Sequence, residues 1–62
     1  MINLADQLRK DRRQYIEDRK AAARYAALYP NTAMGKAMAE HCRILDAAVA
    51  SIDAALKISD AD

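Results

Sequence analysis

Glycine, proline, cysteine and histidine occur once each in this 62-residue chain, and phenylalanine and tryptophan do not occur at all. A single cysteine, Cys42, rules out an internal disulfide. A single histidine, His41, leaves no Cys/His cluster of metal-ligand spacing, so neither a metal nor a cofactor is expected. There is no glycine-rich phosphate loop and no Ser/His/Asp set, and one copy is too short to enclose a ligand cavity. The expectation is a protein with no catalytic residues, which is to say not an enzyme. No apolar run approaches the ~20 residues that a membrane span requires. The start, Met1-Ile2-Asn3-Leu4-Ala5-Asp6, has neither a basic n-region nor an apolar h-region, so a cytoplasmic location with a reduced thiol is expected.

What remains is helix-forming. Alanine is abundant, and Arg, Lys, Leu, Met and Gln are common. With 53% apolar and 31% charged residues the chain belongs with folded rather than disordered sequences. The only punctuation is Tyr29-Pro30-Asn31-Thr32. Proline disfavours helix at the residue before it, so a first helix should end near Leu28 or Tyr29, and Asn31 or Thr32 should cap the second. Asn3 can cap the first helix, with Asp6 in its first turn favouring the positive end of the dipole. This predicts one helical-hairpin domain over 1–62: helix 1 over about 3–29, a turn at about 30–31, helix 2 over about 32–58, and a frayed tail at 59–62. Two helices of similar length joined by so short a turn must run antiparallel.

At 100° per residue, Leu4, Leu8, Tyr15, Ala22 and Ala26 share one face of helix 1, with Ala5, Ile16 and Ala23 beside them. Helix 2 has a broader apolar sector: Met34, Ala37, Met38, His41, Ile44, Leu45, Ala48, Val49, Ile52, Ala55 and Leu56. That sector spans close to half the circumference, more than one partner helix can cover. A chain this short also buries only about 60% of its unfolded surface. With disulfide and metal excluded, the remedy left is oligomerisation. The fold class expected is therefore all-α, an antiparallel two-helix hairpin that dimerises into a four-helix bundle.

Several residues are candidates for function. Arg12 and Arg19 interrupt the apolar face of helix 1, and buried charge needs a partner. Asp46 and Asp53 flank the apolar face of helix 2 with the same seven-residue spacing, so antiparallel packing should join Arg12 to Asp53 and Arg19 to Asp46. Such pairs would set the register; the other reading has the arginines clamping an anionic ligand between subunits. Arg9, Arg13, Lys20 and Arg24, with Lys10 adjacent, form a basic stripe on the outer side of helix 1. That pattern suits phosphate contacts, but Asp6, Glu17 and Asp18 dilute it, and pairs such as Asp6–Lys10 and Glu17–Lys20 suit an ordinary solvated face. The layout is similar to that of plasmid-encoded RNA-binding hairpins that dimerise into four-helix bundles; the likeness is one of layout and rests on no shared motif.

Tyr25 and Tyr29 lie one helical turn apart near the hairpin tip. Tyrosines there can anchor a partner, stack on a base, or staple the loop over the core. His41 is placed mid-face on helix 2 as a core or interface residue, where a pair across a dyad would make assembly pH-sensitive. Cys42 is placed at the edge of that face as a small hydrophobe, and Met34 and Met38 as core filler or adaptable contact residues. The net charge of only +1 weakens the nucleic-acid reading. The reading reached is an oligomeric helical hairpin that regulates or inhibits a protein partner, with no membrane association. RNA or DNA binding along the basic stripe, or sequestration of a nucleotide-like anion between subunits, are the alternatives.

Overall fold

The computed structural model of the chain describes the backbone of residues 3–61 and the side chains of residues 3–58. Two helices, α1 (Leu4–Leu28) and α2 (Ala33–Ala61), pack against each other as a hairpin. At ~1.5 Å per residue α2 outruns α1 by about a helical turn.

The helix ends follow the local chemistry. Asn3 accepts a 2.8 Å hydrogen bond from the Ala5 amide and so caps α1. The helix stops at Tyr29, the residue before Pro30, whose φ of −129° has left the helical range. Thr32, rather than Asn31, caps α2: its Oγ1 accepts from the Gly35 amide at 2.9 Å while its hydroxyl donates to the Tyr29 carbonyl, also at 2.9 Å. One side chain thus ties the end of α1 to the start of α2. The tail differs from expectation. Ser59, Asp60 and Ala61 continue α2, because no glycine or proline interrupts them; Asp62 lies outside the described residues.

The single glycine is placed by close approach. A Cβ on Gly35 would sit 1.7 Å from the Tyr29 carbonyl oxygen and 2.7 Å from its carbon. No side chain fits there, and the turn closes over the first turn of α2 only because hydrogen occupies that position.

The core is small. Ala22, Cys42, Leu45 and Ile52 are its buried apolar residues, and among the described residues no polar side chain is buried. On α2 the buried and half-buried positions Gly35, Met38, Cys42, Leu45, Val49, Ile52 and Leu56 follow alternating three- and four-residue steps, with half-buried Ala48 beside them. This is the seam period of paired antiparallel helices. The chain measures 47 × 19 × 12 Å with a radius of gyration of 14.3 Å, against about 11 Å for a compact domain of this length.

Candidate functional site

The two flanks of the seam differ in chemistry. One is charged. Arg12 Nε donates to Asp53 Oδ1 at 2.6 Å and Arg19 Nε to Asp46 Oδ1 at 2.5 Å, the two cross-hairpin pairs anticipated from the matched spacing. They are not buried, however. The arginine side chains remain 39% and 45% exposed, because both lie on the solvent side of the seam rather than at the centre of the α1 face. Asp46 raises the Arg19 pKa, first through the hydrogen bond and then through its charge.

The other flank is apolar. An open groove of about 560 Å³ is lined by Asp18, Ala21, Ala22 and Tyr25 from α1 and by Met34, Met38 and His41 from α2. His41 therefore does not sit mid-seam. It is exposed in the hairpin, and Cys42 takes the buried position instead, its thiol 3.7 Å from the Arg19 carbonyl to which it donates. One residue is 100° on a helix, and an apolar sector this wide does not say which of its edges α1 will cover. Met34 is likewise no core filler, since it is 54% exposed along the groove.

Beyond the groove the apolar surface continues along α2. Met34, Ala37, His41, Ile44, Ala48, Ser51, Ala55 and Ile58 repeat the seam spacing one residue earlier, about 100° around the helix. Its large members are open: Ile44 is 58% and Ile58 69% exposed. The equivalent stripe on α1 is polar through its middle. There Gln7 donates to Asp11 and Gln14 to Asp18, each at 2.9 Å, leaving apolar character only at the two ends, at Leu4 and toward Ala21, Tyr25 and Leu28.

At the tip, the Tyr25 and Tyr29 rings meet with centroids 4.8 Å apart and planes tilted by 46°. With exposed Leu28 they form a small apolar knob beside the turn. The outer basic stripe is broken by short-range pairs: Arg9 with Asp6 and Lys20 with Glu17, both at 3.3 Å. Arg13 and Arg24 make no ion pair among the described residues.

Among the described residues no group of three or more His, Cys, Asp or Glu is placed to hold a metal ion, and no helix is long and apolar enough to cross a membrane. No family model, curated protein or solved structure matches this chain.

The α2 stripe was legible as excess hydrophobicity but not as a separate surface. Its signal is the second heptad series offset by one residue from the first. The importance of Gly35 had a weaker signal: a lone glycine in the first turn of an otherwise alanine-rich helix.

Proposed function

We propose that the chain is a non-enzymatic binding protein, a helical hairpin that dimerises into a four-helix bundle and regulates or inhibits a protein partner. The observation that carries this reading is the exposed apolar stripe of α2, from Met34 through Ile44 to Ile58, continuous with the Tyr25–Met38–His41 groove.

Surface area supports the dimer. The chain exposes 4850 Å², whereas a folded monomer of 6.9 kDa is expected to expose about 4000 Å². The surplus is about the 800 Å² that each partner buries in an interface of ordinary size. Angle supports it too. Helices at the corners of a square bundle meet their two neighbours roughly at right angles, and the α2 stripe lies about 100° from the seam.

With α2 given to self-association, Leu28 and Tyr29 at the tip remain to engage a protein. Tyrosine combines a large contact area with low conformational freedom, which suits it to anchoring. The test is chemical cross-linking in the native host followed by identification of the captured protein. A partner retained by the unmodified chain and lost with Tyr29→Ala, while the variant's helicity and mass in solution stay unchanged, supports the reading. Equal capture by both overturns the tip as the site. Steeply salt-dependent retention on RNA, abolished by Arg13→Ala and Arg24→Ala together, would instead favour the nucleic-acid alternative.

A further inference from the structure

The dimer reading above leaves open which surfaces meet and in what register. Resting on that reading, we infer that α2 docks antiparallel on α2 of a second copy. In this register Met34 meets the second copy's Ile58, Ala37 its Ala55, His41 its Ser51 and Ile44 its Ala48.

Three observations choose the occupant and its placement. First, the surplus exposed area matches one side of a standard interface, so a second copy of the chain is large enough to cover it. Second, the α2 stripe is apolar at every position but His41 and Ser51. The α1 stripe on the same flank carries Gln7, Asp11, Gln14 and Asp18 through its middle, already bonded to one another in pairs. Burying those four against an apolar helix would cost their hydration. Burying the α2 stripe costs only that of His41 and Ser51.

Third, the stripe is self-complementary when reversed. Overlaying it on its own reverse, first residue against last, leaves no member unmatched. The two large termini, Met34 and Ile58, then pair with each other. The alanines at 37 and 55 meet, which allows close approach of the helices. Ile44 projects over Ala48, large into small, and the same contact recurs across the dyad. The two polar members coincide: the His41 imidazole meets the Ser51 hydroxyl, so neither is buried without a hydrogen-bonding group opposite. Sliding the copies by one heptad strands an end of each stripe in water and sets His41 against aliphatic side chains.

The groove is explained by the same arrangement. Antiparallel docking brings the C-terminal turns of the second copy's α2 alongside Met34, Met38 and His41, the α2 wall of the groove. Ile58 of the second copy is the residue that fills it, packing near Tyr25.

Cysteine cross-linking tests the register. In a Cys42→Ala background whose helicity matches the unmodified chain, Ala37→Cys and Ala55→Cys are made singly and together, and oxidised. The combined variant should run almost wholly as a covalent dimer on a non-reducing gel and each single variant as monomer, because equivalent positions lie far apart in antiparallel copies. Dimers from the single variants mean parallel docking and overturn the inference, as does a combined variant that stays monomeric. If Cys42→Ala does not fold, the same set in the native Cys42 background gives the same readout, since that thiol is buried. Sedimentation of the unmodified chain separates the two levels. A dimer whose cysteines fail to cross-link overturns the register alone, and a monomer overturns the dimer reading with it.

Discussion

Arg12 holds Asp53 across the hairpin by a 2.6 Å bond from Nε to Oδ1, and seven residues along each helix Arg19 repeats the arrangement with Asp46. Antiparallel helices keep these two pairs in step, so a slip of either helix would break both together. Their role is therefore registration rather than strength, because side chains this exposed gain little in water. Asp46→Asn and Asp53→Asn should each lower the melting temperature by at most a few degrees without loss of helicity. The effect should fade in concentrated salt. A collapse of helicity by either variant in circular dichroism would show that the pairs hold the fold. The pH dependence has a definite sign. Asp46 raises the folded-state pKa of Arg19, so that contribution is complete below the ordinary guanidinium pKa and is lost only as pH rises through the raised value. A stability profile across neutral pH should show no step from it.

Gly35→Ala separates steric need from helix propensity. On an exposed helix the change is favourable by about 1 kcal/mol. Here the new methyl would meet the Tyr29 carbonyl oxygen at 1.7 Å, and the obstacle is backbone that cannot swing aside. The net effect should be destabilising by about 1–3 kcal/mol, the scale of overpacking in a closed site. Urea titration checks the sign, and a stabilised variant would contradict the packing described at the turn.

Thr32→Ala removes both the cap of α2 and the bond back to Tyr29. A loss of about 1 kcal/mol is expected. Thr32→Ser should recover most of it in the same titration, since the hydroxyl is the group in use.

Ile52 and Ile44 lie on the same helix but should behave differently. Ile52 is buried in the seam, and its truncation to alanine should cost about 2–5 kcal/mol, enough to unfold a hairpin with so few buried residues. Ile44 is 58% exposed and lies one residue off the seam. Ile44→Ala should leave the hairpin's own packing intact and weaken dimerisation, visible in sedimentation as dissociation at a higher protein concentration than for the unmodified chain. Equal, concentration-independent losses from both would place Ile44 in the monomer's core.

How much of this could be read from the sequence depends on how many residues share the signal. Pro30 with Thr32 marks the turn because each restricts the backbone locally. The matched spacing of Arg12 and Arg19 with Asp46 and Asp53 points to the pairing because antiparallel packing leaves little other choice. The seam of α2 was not legible in the same way. Apolar residues occupy nearly half of that helix, so the pattern put His41 mid-face and Cys42 at the edge without showing which edge α1 would cover. Packing against α1 chose Cys42, whose small side chain lets the helices approach and whose thiol reaches the Arg19 carbonyl. The clash awaiting any side chain at Gly35 depends on where the Tyr29 carbonyl lies, which no periodicity encodes.

The central claim is that this hairpin completes itself with a second copy through α2. Sedimentation equilibrium of the unmodified chain at micromolar and higher concentrations tests it most directly, run beside Ile44→Glu. The account predicts a mass twice the 6.9 kDa of one chain for the unmodified protein. It predicts a single-chain mass with retained helicity for Ile44→Glu, whose carboxylate would be buried unpaired in the interface. A single-chain mass for the unmodified protein at the highest concentration, or a dimer that Ile44→Glu leaves undisturbed, would contradict it.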